Sequence, residues 1–344
     1  MASDTRSRTG LPEFTLEGSE LSRSLGGGRV YLSQERRHWG PGWGGSLVLD
    51  GGAPAIAAFG WRKNDERPFE WSWLSWLGPW GADFFIGGLA SHREPERPWL
   101  VGLRITLEPL EGLQIGLSRT LQWGGRRFDE SPRSLLRSLF GKDPNSDIDG
   151  GEQGNQLAGA DLRYGWRWGA SGTAALYGQA IGEDEAGEMP YKFLLLAGGE
   201  AGGRFSSEAP GILNGASWRL FVEWADTGMR HAYGTHQAGA YQHHVYRQGY
   251  THHRQVLGHQ IGGDAELVSL GGLLDWGRSN AMVVLHTGKA LEGAQRLVPG
   301  ARVHAASLAL QRPVGEVQVG ASLNVVWHNG QRDHLGQAWV GWGW

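Results

Sequence analysis

The sequence predicts an all-β fold, a transmembrane antiparallel β-barrel of about sixteen strands within a range of about 14–18. Glycine supplies 57 of the 344 residues and tryptophan 18, while only 19% of the residues are charged. Apolar and polar residues alternate with a period of two in repeated segments of about ten residues, as in membrane-spanning strands. No stretch reaches the ~20 apolar residues of a spanning helix. Together these observations favour strands with one face in lipid.

Segment 316–328, EVQVGASLNVVWH, carries the alternation in its clearest form. One face holds Val317, Val319, Ala321, Leu323, Val325 and Trp327. The segments that begin at Leu100, Leu113 and Trp218 repeat the pattern. Because successive side chains of a strand point to opposite faces, each segment would place an apolar row against lipid and a polar row in a lumen.

A soluble β-sandwich also alternates and is the main alternative to a barrel. Two features favour the barrel. The apolar rows repeatedly end in Trp, as an aromatic girdle at the bilayer interface requires, and the polar rows mix Arg, Glu, Gln and His. The alternation also continues to the last residue of the sequence, with Ala338, Val340, Trp342 and Trp344 on one face. This pattern is typical of the terminal strand that the outer-membrane assembly machinery recognises.

The alternation predicts fourteen strands and two weaker ones. The fourteen lie near 53–61, 69–76, 81–90, 98–108, 112–122, 157–168, 172–181, 191–200, 216–226, 264–276, 279–287, 302–312, 315–327 and 334–344. The weaker two lie near 29–34 and 45–50. Bacterial barrels have short periplasmic turns and long extracellular loops, which predicts that 123–156, 227–263 and 288–301 are extracellular. Within the first of these, Ser131 and Pro132 begin a short predicted helix over or in the barrel mouth.

Composition narrows the classes of partner and chemistry. The net charge is −3, from 32 basic and 35 acidic side chains, so a nucleic acid is not an expected partner. Cysteine is absent, and the sequence has no HExxH, GxSxG or P-loop motif, which predicts a protein that is not an enzyme and carries no cofactor. Residues 1–10 are polar and lack the apolar core of a signal peptide, so we expect a mature or shortened form.

The first candidate site consists of three adjacent carboxylates that follow a predicted strand. They are Glu183, Asp184 and Glu185. Carboxylates accept hydrogen bonds from sugar hydroxyls and also bind Ca²⁺. A solvated hairpin tip is the alternative interpretation.

A second candidate set lies on polar rows of the predicted strands. Its members are Asp161, Arg163, Gln179, Glu223 and Asp226. Charges of both signs in a lumen form structural ion pairs or, alternatively, line a ligand path.

The third candidate is the segment 231–259, which holds seven of the thirteen His residues and four Tyr residues. Rings mixed with hydrogen-bonding groups suit a carbohydrate surface, and we expect exposed contacts from His243, His244, Tyr246 and Tyr250. Transition-metal binding is the alternative, although adjacent His residues fix no ligand geometry. The prediction for this exposed loop is that its deletion abolishes polymer capture and leaves membrane insertion intact.

Four runs of the sequence resemble, in order and spacing, blocks of the capsule assembly protein Wzi family. They are AGADLRYGW from Ala158, LYGQAIGEDEAGEMPYKF, FVEWADTG from Phe221, and AYQHHVYRQGYTHHRQVLGHQIGGDAE from Ala240. The resemblance implies an 18-stranded β-barrel in the outer membrane of a Gram-negative bacterium. It implies a lectin for capsular polysaccharide that helps to assemble or anchor the capsule.

The resemblance also implies an N-terminal helical plug on the periplasmic side. Residues 1–28 would then be a tail or a remnant of that plug, and 29–344 the barrel. We expect a monomer, surrounded by outer-membrane lipid and inserted by the β-barrel assembly machinery. The alternative function is a porin-type diffusion channel with a polar lumen, narrowed by the segment 123–156.

Overall fold

The computed structural model describes residues 16–65, 67–140, 154–183, 192–231, 238–294, 298–328 and 330–342. These ranges hold seventeen β-strands, one α-helix and two 3₁₀ turns at Ser75–Leu77 and Gly211–Leu213. The first strands are β1 Ser19–Leu25, β2 Gly28–Glu35, β3 Ile56–Lys63, β4 Trp80–Gly88, β5 Trp99–Leu110 and β6 Leu113–Trp123, and then helix α1 Pro132–Phe140. Next come β7 Asn155–Trp168, β8 Gly172–Glu183, β9 Lys192–Arg204, β10 Ser217–His231, β11 Thr251–His252 and β12 Gln255–Val256. The last are β13 Ala265–Trp276, β14 Ser279–Ala290, β15 Arg302–Val314, β16 Val317–His328 and β17 Gln331–Trp342.

Fifteen of the strands form one sheet in chain order, β1 to β10 and then β13 to β17. Every neighbouring pair is antiparallel, so the sheet is an up-and-down meander, while β11 and β12 form a separate hairpin. We call the end of the sheet that carries the connections 36–55, 89–98, 124–154, 232–264 and 291–301 the long-loop end, and the opposite end the short-turn end.

Three strand predictions need correction. The predicted strand 69–76 is a series of bends and a 3₁₀ turn, and 45–50 forms only an isolated bridge between Asp50 and His38. Strand β1 was not predicted, although it pairs with β2 over seven residues, and this hairpin crosses the boundary expected at residue 29. Because the predicted strand 69–76 between β3 and β4 is absent, β3 runs opposite to the predicted direction, and the connection 36–55 lies at the long-loop end.

The sheet has an apolar outer face and a mixed inner face, as the alternation predicts. On β10, Leu220 and Val222 are 55% and 53% exposed, whereas Phe221 and Glu223 are each 2% exposed. Other exposed outward residues are Leu103, Leu117, Leu162, Leu176, Leu270, Leu285, Leu308 and Leu323. Exposed apolar rows that continue from strand to strand are what a bilayer requires of a protein surface.

The interior is filled by two connections from the long-loop end. We call 36–55 the plug segment and 238–263 the return loop. One cluster of buried side chains joins Trp39 and Leu47 of the plug segment to Phe85 on β4, Tyr177 on β8 and Tyr250 of the return loop. Because β4 and β8 are far apart in the sheet order, this contact requires the sheet to curve around its contents.

Helix α1 packs outside the interior. Its first turn is capped as predicted, because the backbone N–H of Ser134 donates to Oγ of Ser131 at 3.1 Å. Leu135 and Leu139 pack against the cluster of Val101, Leu121 and Trp123, and Val101 shares an outward row of β5 with exposed Leu103. The expectation that the helix covers the barrel mouth is therefore wrong. Within the described ranges, no helix is long and apolar enough to cross a membrane.

Candidate functional site

The backbone of the plug segment is held by a carboxylate on the sheet. Glu223 on β10 accepts hydrogen bonds from the N–H groups of Trp43 at 2.8 Å and Gly44 at 3.1 Å, and from the Tyr177 hydroxyl at 3.0 Å. A Cβ atom at Gly44 would lie 2.8 Å from Oε1 of Glu223, so glycine allows this close approach. Glu223 thus binds a part of its own chain.

Gln179 on β8 holds the same segment at a second point. Its Oε1 accepts the N–H of Leu47 at 2.8 Å, and its Nε2 donates to the carbonyl of Trp39 at 2.8 Å. Both the donor and the acceptor of this side chain therefore bind the backbone of the plug segment. Two of the five predicted lumen residues are thus anchors of the plug segment.

The other three predicted lumen residues lie in ion pairs. Asp161 accepts two hydrogen bonds from the guanidinium of Arg104, at 2.7 and 2.9 Å. Arg163 pairs with Glu200. Asp226 is fully buried and pairs with Arg230. These contacts match the structural interpretation of the lumen charges, and the sequence did not single out their partners.

The return loop is packed inward through its tyrosines. The N–H of Tyr241 donates to Oε2 of Glu183 at 2.9 Å, and its hydroxyl donates to the carbonyl of Leu47 at 2.8 Å. The Tyr250 hydroxyl donates to Oγ1 of Thr120 at 2.9 Å, and that of Tyr246 to the carbonyl of Gly124 at 3.3 Å. Each ring thus joins an apolar interior to a polar acceptor.

The predicted exposure of several site residues is wrong. Tyr246 and Tyr250 are 1% and 0% exposed, and Glu183 is buried. Since the loop fills the interior, its deletion would also remove packing, and it is not the dispensable surface feature that the sequence suggested. Asp184 and Glu185 lie outside the described residues.

The two adjacent histidines of the return loop differ in environment. Nδ1 of His243 accepts the N–H groups of Val245 at 3.2 Å and Tyr246 at 3.3 Å. Burial, and secondarily the neighbouring His244, lower the pKa of His243 to about 4, so its ring is neutral at pH 7. His244 is exposed. Among the residues that the structure describes, no group of three or more His, Asp or Glu side chains could hold a metal ion.

A cleft of about 540 Å³ opens between the connection 89–98 and the return loop. Its lining includes Arg93 and Arg254, and we call it the arginine cleft. It is lined by Ala90, His92, Arg93, Ala240, Tyr241, Gln248, Thr251, His253, Arg254, Val256 and Gly263. Such a volume is within the ~300–1,000 Å³ typical of small-ligand sites.

Sequence reasoning missed both arginines of this cleft. Connection 89–98 reads LASHREPERP, and its charges and two prolines, between strands predicted at 81–90 and 98–108, were the available signal. A charged loop between two membrane strands is a candidate for surface contact. Arg254 lies inside a segment in which the His and Tyr residues drew attention instead.

The sheet is an antiparallel meander with an apolar exterior, and its own connections occupy the interior. These features define an outer-membrane β-barrel that has its longest loops at one end. The chain matches the family model for capsule assembly protein Wzi over residues 6–327, and it belongs to that family. The protein is thus an outer-membrane protein.

Two similar proteins support the assignment. The solved structure of Wzi from Escherichia coli, described as a carbohydrate-binding β-barrel involved in group 1 capsule assembly, has 24% identity and a TM-score of 0.74. The match covers 93% of this chain and 68% of that one, and it shows the β-barrel fold. A 55.8 kDa protein from the cps region of Klebsiella pneumoniae is 32% identical over 167 residues, which are 48% of this chain. The match spans only 33% of that curated relative.

Proposed function

We propose that this protein is a surface lectin that binds exported capsular polysaccharide and helps to assemble or anchor the capsule. Membership of the Wzi family supports the proposal, and so does the description of the E. coli relative as carbohydrate-binding. We propose further that the protein is not an enzyme and that polysaccharide binding is its whole activity.

The observation that carries the proposal is the occupied interior next to an open cleft with hydrogen-bond donors in its lining. The plug segment and the return loop fill the space that a diffusion channel would leave to water. The cleft at the long-loop end offers donors from Arg, Gln and Thr side chains. Such donors bind the hydroxyl groups of sugars.

Single contacts of this kind are weak, and a polymer with repeating units compensates for weak contacts. Many copies of the protein on one cell would bind many repeats of one chain, which raises the overall avidity without any new contact. This arrangement fits a protein that retains a polysaccharide at the surface.

The test is a comparison of capsule retention and direct binding. A capsulated strain without its own copy of the gene would be complemented with this chain, and cell-bound and released polysaccharide would be measured. In parallel, detergent-folded protein would be applied to a glycan array. We expect restored retention and binding to at least one acidic or neutral glycan. Unchanged release together with an array free of signal would refute the lectin proposal.

A further inference from the structure

Helix α1 lies against the outer face of the sheet, at the long-loop ends of β5 and β6. Trp99 and Trp123 are directly paired there, in the outward row of Val101. Nε1 of Trp123 donates to Oγ of Ser134 in the first turn of the helix at 2.8 Å. Because tryptophans at the ends of membrane strands lie at the bilayer interface, we place the helix at the level of the lipid headgroups.

The helix also covers a charged residue of the lipid-facing row. Arg119 on β6 pairs with Leu103, which is 41% exposed on the outward face. The guanidinium of Arg119 donates to the carbonyl of Ser138 at 3.4 Å and, through Nε, to Oε1 of Gln156 at 3.1 Å. An arginine on a lipid-facing row is costly without such partners. Polar contacts as well as apolar packing therefore fix α1 on the outside of the sheet.

The side of α1 that faces away from the sheet is basic. Arg133, Leu136 and Arg137 are exposed, and their spacing of three and four residues places them on one helix face. Arg97 and Arg127, in the connections that precede β5 and the helix, are exposed as well. We call Arg97, Arg127, Arg133 and Arg137 the rim arginines.

The carboxylates of the same two connections bind other groups. Glu96 pairs with Arg126 at 3.1 Å, and Glu94 pairs with an arginine of the return loop at 3.7 Å. Asp129 and Glu130 accept backbone N–H groups of their own connection, at 2.8 and 2.9 Å. Within the described ranges, none of the rim arginines makes an ion pair. Their guanidinium groups can therefore bind an anionic group of another molecule.

A depression of about 390 Å³ lies beside the helix and adds an aromatic ring to this surface. It is lined by Glu96, Arg97, Trp99, Arg126 and Glu130. The N–H of Arg126 donates to the carbonyl of Glu96 at 2.8 Å, so the two connections form one wall. An indole ring next to guanidinium and carboxylate groups suits a sugar that carries an anionic substituent.

Arg127 occupies a turn position that favours glycine. The N–H of Phe128 donates to the carbonyl of Gly125 at 2.9 Å, which closes a four-residue turn. Arg127 is the third residue of this turn and has a positive φ of 79°. Glycine adopts this conformation at lower cost, so the turn itself gives no reason for an arginine here. Strained residues of this kind cluster at functional sites.

From position, charge and the depression, we propose that this surface binds the phosphorylated sugar headgroup of an outer-leaflet glycolipid. The rim arginines donate to its phosphate groups, since one guanidinium can donate two N–H groups to one phosphate. Trp99 contacts the sugar face. Leu136, 57% exposed between two rim arginines, contacts the acyl chains. This inference goes beyond the lectin function, because it concerns the lipid around the barrel and not the exported polymer.

The experiment measures binding of fluorescent diphosphoryl lipid A, a phosphorylated glucosamine disaccharide, by the detergent-folded full-length protein. The matched probe is the same lipid with both phosphates removed. The variants are R133Q/R137Q, which keeps good helix-forming residues, and R127G, which gives the turn its favoured residue. The control is Arg302→Gln on β15. It removes an exposed arginine from the outward row of Leu308 and Leu310, at the long-loop end but far from α1 in the sheet order.

We expect diphosphoryl lipid A to bind, with a loss of about tenfold or more on removal of the phosphates and in R133Q/R137Q, and of about threefold in R127G. Both variants should keep heat-modifiable migration on gels, and R302Q should bind the lipid like the parent protein. Equal binding of the two lipids, unchanged binding by R133Q/R137Q, or an equal loss in R302Q would overturn the proposal.

Three further arms separate the other outcomes. Equal affinity for phosphatidylglycerol would show attraction to any anionic lipid, and displacement of lipid A by inorganic phosphate at equal concentration would show a site for free phosphate. Either result would contradict the glycolipid site. The same variants would be applied to the glycan array, where binding should be unchanged. Loss of glycan binding with lipid A binding intact would place these arginines in the lectin site instead, whereas a parent protein that binds lipid A and no glycan would refute only the lectin function.

Discussion

Single polar residues decide how the interior of this barrel is filled. Glu223 is 2% exposed and receives three donors, two of them backbone N–H groups of the plug segment. A buried carboxylate is stable only with such partners, and a buried N–H is stable only with an acceptor. Each side therefore supplies what the other lacks, and this mutual requirement fixes the position of the plug segment.

Replacing Glu223 with Ala should destabilise the plug. The N–H groups of Trp43 and Gly44 would lose their acceptor, at about 1–3 kcal/mol for each buried group left unsatisfied. We expect a lower midpoint of urea unfolding in detergent. The matched control is Glu108→Ala, which removes an exposed carboxylate on β5. Equal midpoints for the two variants would contradict the anchoring role.

The histidines of the return loop predict a pH dependence. Burial lowers the pKa of His243 and His252 to about 4 and of His259 to about 3, against ~6.5 in an unfolded chain. The unfolded loop therefore binds protons that the folded loop does not. The stability that these residues contribute is complete above pH ~6.5 and declines as the pH falls towards 4.

Asp50 of the plug segment acts in the opposite sense to these three histidines. Burial raises the pKa of its carboxyl to about 7, so it favours the folded state at lower pH. The rate of trypsin cleavage at Arg247 and Arg254 measures how far the return loop has loosened at each pH. We expect cleavage about tenfold faster at pH 5 than at pH 7, after correction for the enzyme's own pH profile on an unfolded substrate. A rate that is independent of pH would argue against buried neutral histidines.

At the scale of elements, the plug segment is a connection that the strand register does not need. Glu35 of β2 pairs directly with Ile56 of β3, so the twenty residues between them could be replaced by an Asn-Gly turn without a change of register. Glycines at close contacts let this segment run through the interior. A Cβ at Gly45, for example, would lie 2.6 Å from Cδ2 of His259.

Replacing 36–55 with Asn-Gly should open a path through the barrel. We expect stable currents from this variant in planar bilayers and none from the parent protein. The control shortens the connection 205–216 in the same way, because Arg204 and Ser217 are also directly paired and this connection lies at the short-turn end. Open currents from the parent protein would instead favour the porin alternative.

The elements also show where sequence reasoning succeeds and where it fails. Strands β5, β6, β10 and β13 to β16 alternate cleanly, because each has one face in an apolar environment, and they were predicted. The segment 69–76 alternates Trp with polar residues as well, yet Trp71, Trp73 and Trp76 are 63–69% exposed on a connection at the short-turn end. Alternation indicates that a segment meets two different environments. A segment at a membrane interface meets two environments without forming a strand.

For the whole molecule, the outward apolar rows define a surface that is stable only in a membrane or detergent. The exposed tryptophans near the strand ends and on the connection 64–79 should contact the interfacial region of the bilayer. They are Trp71, Trp73, Trp76, Trp166, Trp168, Trp327 and Trp339. Trp39 and Trp123, by contrast, are buried, at 4% and 6% exposure.

Quenching by brominated lipids tests this arrangement. Bromines placed near the headgroups should quench more of the fluorescence than bromines at the chain ends, since most of the exposed tryptophans lie towards the strand ends. A variant with Trp71, Trp73 and Trp76 changed to Phe should lose part of the interfacial quenching, whereas Trp39→Phe should not. A monomer that stays compact in buffer without detergent would contradict the membrane barrel altogether.

The sequence by itself determined the outside of this protein. A period of two, repeated along most of the chain, specifies antiparallel strands with an apolar face, because that pattern depends only on near neighbours and on the solvent each face meets. Only the tertiary structure decided what fills the inside. Gly40–Asp50 and the Tyr-rich return loop have no periodicity of their own, and their partners, such as Gln179 and Glu223, lie more than 100 residues away in the chain or on distant strands. Contacts of that range arise from the curvature of the sheet around its contents and from hydrogen-bond satisfaction, which no local pattern encodes.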